Sequence, residues 1–301
     1  MTDLVCRVCR ATATVPAGVV KGRLGGGDFR LAHCTECHFS FVIQPRTDYE
    51  TLYSAEYYQG QGADPHVDYV FELEHPETTV RRYEWQGLYR AVAALHPLDG
   101  RTRWLDFGCG NGGLVRWARA RGLAEVHGFE TGWIADRARA RGVPLLTEDE
   151  LASHANTFDV ITAIEVLEHI VEPVDALKQI ARLLKPGGLL FVTTGNARPF
   201  RGRLAGWRYV NPEVHVSFFE PETLARAMRM AGFDPTYPGF VDGFDQIIRF
   251  KVLKALGVRK RALWERAVPW QWVARIVDAR LAITAHPAGR RSGDPAAEAS
   301  C

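Results

Sequence analysis

Helical and strand periods alternate along most of this chain. Between Thr78 and Leu95 the residues Val80, Tyr83, Leu88, Ala91, Ala94 and Leu95 recur at helical spacing, the pattern of a helix with one buried face. The run HPLDG, His96 to Gly100, ends it. Trp104 and Leu105 open a strand, a cluster of glycines follows, and a helix is predicted from Leu114 to about Arg121. Further strands are predicted at Val126–Glu130, at Val143–Leu146 and from Phe158 onward. The apolar run Gly188–Thr194 suits a strand buried on both faces of a sheet. Pro186, Gly187 and Gly188 are predicted to stop the helix before it and reverse the chain, and another helix begins at Pro221. Ahead of this region, Phe39–Ile43 reads as a strand and Pro45–Pro65 as a loop rich in tyrosine: Tyr49, Tyr53, Tyr57 and Tyr58.

Composition sets the scale. At 301 residues the chain exceeds one ordinary domain, so a main domain with an appendage is expected. Hydrophobic residues at 47% and charged ones at 24% are enough to bury a core, which excludes a fibrous or wholly disordered chain. The apolar runs fall well short of the ~20 residues of a membrane span. The start MTDLVCRVCR lacks the pattern of a secretory signal, so a cytoplasmic location is expected. A net charge of +2 gives no argument for DNA.

The six cysteines change the picture more. Cys6 with Cys9 and Cys34 with Cys37 form two CxxC pairs, while Cys109 and Cys301 stand alone. Two such pairs supply four thiolates for one tetrahedral zinc ion. The alternative, two disulfides, needs an oxidising compartment that the N-terminus does not support. The segment between the pairs, Arg10 to His33, holds Gly22, Gly25, Gly26 and Gly27 and too little apolar material for its own core, so it reads as a hairpin or loop that folds around metal. His33 and His38 adjoin cysteines but lack the CxxC register.

The glycine cluster, LDFGCGNGG from Leu105 to Gly113, carries the chemistry. Glycines let the chain turn sharply and approach a ligand without a Cβ in the way. Gly108, Gly110 and Gly113 also satisfy GxGxxG, and Glu130 follows at the end of the next strand, as a dinucleotide-binding dehydrogenase requires. Asp106 separates the two readings. A carboxylate at the mouth of the turn repels a pyrophosphate and suits a ligand bearing an ammonium and a sulfonium.

Asp106 to Gly112 resembles motif I of class I S-adenosylmethionine-dependent methyltransferases, and the likeness extends over roughly Trp104 to Phe233. Phe158–Ile170 is similar to that family's fourth strand and following turn, and Leu183–Thr193 to its helix end, glycine turn and fifth strand. The resemblance implies an α/β, Rossmann-like fold: a mostly parallel seven-stranded sheet with helices on both faces, here with a small N-terminal zinc knuckle and a C-terminal helical extension. It implies S-adenosylmethionine as cofactor, held by Asp106, Gly108, Gly110, Asn111 and Gly112, with Glu130 on the ribose hydroxyls and Glu165 lining the pocket. Glu148 and Asp149 stand where an acid often reaches the adenine amino group, or else they are an exposed helix start. The expected divisions are 1–45 for the zinc module, 46–100 for a linker and covering helices, 101–245 for the catalytic domain, 246–285 for the extension and 286–301 for a disordered tail.

If the acceptor is a hydroxyl or an acidic carbon, a base must take its proton. His215 is the first candidate, in a segment that resembles the His-x-x-x-Phe-x-x-Pro-x-x-Leu stretch of small-molecule O-methyltransferases; His169 is the second, or lines the cofactor pocket. Paired with a four-cysteine module, the domain resembles deoxysugar C-methyltransferases and, in another direction, ribosomal RNA guanine methyltransferases. Residues 1–45 mix Arg7, Arg10, Lys21, Arg23 and Arg30 with Asp3, Asp28 and Glu36, so a small-molecule or saccharide acceptor is preferred and RNA is the alternative. A non-catalytic sensor of the cofactor is a third reading. Arg249 to Leu281, basic and rich in tryptophan, reads either as a helix pair packed on the domain or as a surface for peripheral membrane contact.

Overall fold

The computed structural model describes residues 4–24, 27–64, 68–276 and 282–287. Three short strands come first: β1 (Thr14–Lys21), β2 (Asp28–Cys34) and β3 (Ser40–Val42). Four helices follow, α1 (Tyr49–Leu52), α2 (Ala55–Tyr58), α3 (Tyr69–Glu74) and α4 (Arg81–Leu95). The segment expected to be a tyrosine-rich loop is thus partly helical. Burial of Leu52, Tyr57 and Tyr58 explains the two short turns, which have too few residues to be stable alone.

Strand and helix then alternate: β4 (Trp104–Phe107), α5 (Gly113–Arg119), β5 (Val126–Phe129), α6 (Gly132–Ala140), β6 (Leu145–Leu146), α7 (Glu148–Ser153), β7 (Phe158–Ile164), α8 (Pro173–Leu183) and β8 (Leu184–Thr193). The chain closes with β9 (Ser217–Phe218), α9 (Pro221–Met230), β10 (Phe233–Thr236), α10 (Phe244–Ala255), α11 (Trp270–Ile276) and β11 (Ala282–Pro287). Among the described residues seven strands form the large sheet in the order β10-β11-β8-β7-β4-β5-β6. The pairs from β8 to β6 are parallel, and β11 runs antiparallel to both its neighbours. The α/β expectation therefore holds.

Three details differ from the pattern reading. Helix α8 ends at Leu183, before the Pro-Gly-Gly run, and β8 starts at once. Register passes from Phe158↔Leu184 to Val160↔Leu189, so Lys185–Gly188 bulges opposite Asp159. Pro186 keeps Lys185 out of the helical region, which accounts for the early stop. Strand β11 lies within 282–287, where a helical extension and a tail are expected; its Thr284 and Ala285 are buried and it completes the sheet. Residues 288–301 of the expected tail lie outside the described residues.

The third difference concerns the N-terminal module. It is not a separate body: strands order as β1-β2-β3-β9, so the sheet of the cysteine module is completed by a strand that comes late in the domain's sequence. One core runs through both, joining Cys6, Val8, Phe39 and Phe41 to Leu105, Ile161 and Leu190. Helices α10 and α11 form the packed pair of the basic segment, burying Phe250, Leu253 and Trp270 against α4 and one another. No helix among the described residues is long and apolar enough to cross a membrane.

A core cluster shared by the module and the domain predicts a single unfolding transition. Phe39 is fully buried with its ring 5.1 Å from that of Phe219, so Phe39→Ala should cost about 3–5 kcal/mol. Denaturant melts followed by near- and far-ultraviolet circular dichroism should coincide in both proteins. Two separated transitions, with only the smaller one shifted, would mean that the module folds independently.

Candidate active site

The glycine turn sits at the carboxyl edge of the sheet, between β4 and α5. Gly108, Gly110 and Gly112 all have positive φ, at 71°, 55° and 69°. At Gly110 a Cβ would also fall 2.6 Å from the ring of Tyr69, so both conformation and space require glycine. Asn111 faces inward: its Oδ1 accepts from Gly113 N at 3.0 Å and its amide donates to Tyr69 O and to Glu72, each at 3.1 Å.

A cavity of about 850 Å³ opens beside this turn. Gly108, Glu130, Thr131 and Trp133 line one side of it, Glu165 and His169 another, and Tyr53, Tyr57, Tyr58 and Tyr69 cover it. Glu130 Oε2 accepts from Gly110 N at 2.8 Å and Oε1 from Thr131 N at 3.0 Å, while burial pushes its carboxyl up. Glu148 and Asp149 do not reach the cavity. They stand exposed at the start of α7, where Thr147 and Glu150 form a capping box. The helix-start alternative accounts for both acids.

Asp106 and Cys109 adjoin a second, small cavity with Glu72, Arg81 and Glu84. Burial raises the Asp106 carboxyl to about 7, although Thr162 Oγ1 donates to it at 2.7 Å. Arg81 donates to Glu72 at 2.9 Å and to Glu84 at 2.6 Å. Glu84 Oε1 is buried with no hydrogen-bond partner among the described residues. An ammonium donor entering here would meet the buried carboxyls of Asp106 and Glu84, the latter with an oxygen that accepts no hydrogen bond and has only the Lys251 ammonium at 3.6 Å. The residues therefore fit the amino-acid end of S-adenosylmethionine. Nothing local in the sequence marks Arg81 or Glu84, which look like the charged positions of a surface helix.

Glu165 follows β7 with φ at +54°, a rare conformation outside glycine. Burial opposes its ionisation, but Lys251, 3.0 Å away, outweighs that and holds the carboxyl at about 2. Lys251 comes from α10, so the basic C-terminal segment supplies part of the site. Glu168 accepts from Tyr209 at 2.6 Å and from Thr194 at 2.8 Å, and burial with Glu165 nearby pushes it up.

The two histidines meet. Their rings are edge to face with centroids 4.8 Å apart. His169 lines the large cavity, whereas His215 packs behind it and does not. Each Nδ1 faces a backbone carbonyl, Val214 O for His169 at 2.9 Å and Tyr209 O for His215 at 2.7 Å. A carbonyl only accepts, so both Nδ1 atoms carry hydrogen and both Nε2 atoms keep a lone pair. Burial, then His215, lowers the His169 imidazole to about 4, and burial lowers His215 as well. One oxygen of Glu168 and one nitrogen of each ring lie within 4.8 Å of one another.

The four thiols also converge. Cys6 Sγ is 3.6 Å from Cys37 Sγ and Cys9 Sγ is 3.5 Å from Cys34 Sγ, with all four inside 4.8 Å. A disulfide needs about 2.05 Å. Four sulfurs around a tetrahedral ion at ~2.3 Å stand about 3.8 Å apart, so this donor set fits a zinc ion. His33 is bonded to Ser40 and stacked on His38, outside the cluster.

Strand order, glycine turn and acidic pocket define a class I S-adenosylmethionine-dependent methyltransferase. Residues 79–237, just over half of the chain, match the family described as a methyltransferase domain, and the chain belongs to that family. It is 35% identical over 213 residues to the ubiquinone biosynthesis O-methyltransferase of Bordetella pertussis, an alignment covering 59% of this chain and 86% of that one. The protein of the same name from Thiobacillus denitrificans is 31% identical over 48% of this chain and 69% of its own. Among solved structures, a chain of the complex between the Haloferax volcanii Trm112 methyltransferase activator and a candidate methyltransferase shares the fold, with a TM-score of 0.51 at 16% identity over 82% of this chain and all of that one.

The raised Asp106 carboxyl yields a test of the pocket's electrostatics. Its folded value of about 7 lies above that of an unfolded aspartate, so the native state binds the extra proton between roughly pH 4 and 7. That contribution is fully present below pH 4 and is lost as pH rises through 7. Asp106→Asn keeps an acceptor for Thr162 and removes the burden. In ligand-free protein it should stabilise by on the order of 2 kcal/mol at pH 8 and change little at pH 4. Urea midpoints at both pH values measure this; equal shifts at both would show that Asp106 is already ionised without a ligand.

Proposed function

We propose that this chain transfers a methyl group from S-adenosylmethionine to a hydroxyl of a small-molecule acceptor, and that its N-terminal thiols hold a structural zinc ion. The observation that carries the reading is that His169, backed by Glu168 and His215, lines a cavity that Gly108 of the glycine turn and Glu130 also line. The names of the relatives, O-methyltransferases, support a hydroxyl acceptor.

Bound cofactor supplies a methyl group on a sulfonium sulfur. In this reading Asp106 and Glu84 receive its ammonium, Arg81 lies within reach of its carboxylate, and Glu130 accepts from both ribose hydroxyls. The glycine turn lets the backbone come close. The acceptor oxygen forms its bond to the methyl carbon as the carbon–sulfur bond breaks, and the departing product is S-adenosylhomocysteine. The hydroxyl proton passes to Nε2 of His169, with His215 and Glu168 behind it. The tyrosines of α1 and α2 cover the cavity and keep water from the sulfonium.

A second reading of the same cluster rests on the basicity of His169. A base at about 4 takes a proton poorly at neutral pH. Two neutral imidazoles beside a carboxylate instead suit a divalent cation, and the carbonyl on each Nδ1 is how a metal-bound histidine is oriented. A cation there would lower the pKa of an acceptor hydroxyl directly.

The cofactor assignment predicts that S-adenosylhomocysteine binds and NAD does not. Glu130→Ala removes two charge-assisted bonds of about 1.5–3 kcal/mol each and should weaken binding by at least tenfold in calorimetry. Binding of NAD alone would return the turn to a dehydrogenase.

For the chemical step, His169→Ala should lower transfer of labelled methyl into a metabolite extract by roughly 10²–10⁴-fold, with S-adenosylhomocysteine affinity within a few-fold of wild type. Chelation mild enough to leave thiolate zinc, checked by elemental analysis, decides between the two roles. Loss of transfer restored by magnesium or manganese selects the cation, and unchanged transfer selects the imidazole base. A fully active His169→Ala protein would overturn both.

A further inference from the structure

The segment that carries His215 is held from two sides: Val216 N donates to Glu168 O at 2.7 Å and Ser217 Oγ to Ile170 O at 2.6 Å within the domain, and the cysteine module holds it from the other side. Val42 N donates to Val216 O at 3.0 Å, and β9 pairs with β3 through Ser40↔Phe218 and Phe41↔Ser217. On the other side of His215 stands Glu213, which is 1% exposed. Its carboxylate accepts from Arg23 N at 2.7 Å and from Leu24 N at 2.9 Å, both in the connection between β1 and β2. The β1–β2 hairpin therefore has the thiol cluster at its base, where Thr14 pairs with Cys34, and a buried carboxylate from the catalytic domain at its tip.

The residue between the two anchors and the histidine is Val214, whose carbonyl takes the Nδ1 hydrogen of His169. Backbone N–H of His215 itself donates to Asn211 O at 2.7 Å, and Asn211 Nδ2 donates to Ala63 O, which Arg23 Nη1 also reaches. Glu213 directly precedes Val214, so its anchorage bears on the carbonyl that fixes the His169 tautomer, and the bond from His215 N to Asn211 O ties the second imidazole to the same segment. The space is tight on the module side too: a Cβ at Gly22 would fall 3.0 Å from Glu213 Oε1 and 2.9 Å from the Phe29 ring.

We propose that Glu213 is a positioning residue, and that the metal-folded hairpin acts through it to hold His169 and His215 in their Nδ1–H tautomers while leaving the cofactor half of the site untouched. This deepens the proposed acceptor-side role of the two histidines and rests on it. A buried carboxylate accepting two main-chain amides is a strong, directional joint. Glutamine in its place keeps one acceptor and turns an amide hydrogen toward an N–H donor, which opens the joint without changing its size.

The test uses the zinc-loaded full chain, its metal content confirmed by elemental analysis, and needs no acceptor. Glu213→Gln should raise hydrogen exchange of the amides at 211–219 by at least tenfold, leave those at 104–119 unchanged, and keep the dissociation constant of S-adenosylhomocysteine within twofold. In two-bond proton–nitrogen spectra of ring-labelled histidine, the Nδ1–H signatures of His169 and His215 should give way to averaged tautomers. Gly22→Ala, made on the module and remote from the cavity, should produce the same pattern, so the result does not hang on one variant folding. Unchanged tautomers in both variants, or exchange that rises equally across 104–119, would overturn the proposal. Failure of the wild type to bind S-adenosylhomocysteine would instead strike the cofactor reading and leave the histidine signatures to be judged on their own.

Discussion

Carboxylates taken out of water at the edge of the sheet have to be answered by cations or donors, and this constraint organises the molecule. Glu72, Glu84, Asp106 and Glu168 are buried there, with Glu165 half-buried beside them. Arg81 answers Glu72 and Glu84, and Lys251 answers Glu165 at 3.0 Å and Glu84 at 3.6 Å. Breaking such a pair by removing one partner costs about 3–5 kcal/mol, because the other charge stays buried. So α4, before β4, and α10, between β10 and β11, are bound to the site by ion pairs as well as by packing. Asp106 has only the Thr162 hydroxyl, and its carboxyl rises accordingly. Asp106 and Glu168, which have hydroxyl donors and no cation of their own, differ in that Asp106 stands where the proposed ligand carries one.

What was legible in the sequence is what the chain encodes locally. The strand, glycine turn and helix around Gly108–Gly113 are contiguous, and the positive φ of three of these glycines is a property of the turn itself. The CxxC pairs were legible for the same reason, since each knuckle is four residues long. Illegible were the pairings made across the fold. Lys251 reads as one cation in a basic stretch until α10 lies on α4 and brings it to Glu165. Strand β9 is two residues long and carries no periodicity; only its register with β3 makes it a strand. Strand β11 is specified by the gap between β8 and β10. Glu148 and Asp149 went the other way, because an acidic first turn serves a helix as well as it serves a ligand.

The histidines illustrate a finer limit. Their residue type and place in the chain were readable, but their order of access was not. His215 is anchored on Tyr209 O and shielded by the His169 ring, so the residue nearer the cavity is the one that sits on the short helical turn Leu167–His169 after β7. Burial then changes their chemistry. Desolvation favours the neutral form of both imidazoles, which deprives them of basic strength and leaves each ring with one nitrogen lone pair. The same burial thus weakens one mechanism and favours the other, and no inspection of residue identities decides between them.

The two halves of the site have different structural origins. On the cofactor side, Asp106, the glycine turn and Glu130 come from consecutive units of the parallel sheet, each fixed by its own strand. The proposed acceptor side draws on both: Glu165, Glu168 and His169 follow β7 of that sheet, while the covering tyrosines, a lysine from α10 and a histidine segment paired with the β1–β2–β3 module come from outside it. Similarity to the curated relatives covers 59% of the chain at most among those described above, and the family match ends at residue 237, leaving out the module and α10. Elements that join the sheet from outside can be exchanged without disturbing the cofactor turn, since their bonds to it are made by side chains and edge strands and not by its hydrogen-bonded interior. Of the residues around the large cavity, Tyr53, Tyr57, Tyr58 and Tyr69 lie outside the matched stretch 79–237, as does Lys251 behind Glu165, whereas Glu130, Glu165 and His169 lie inside it.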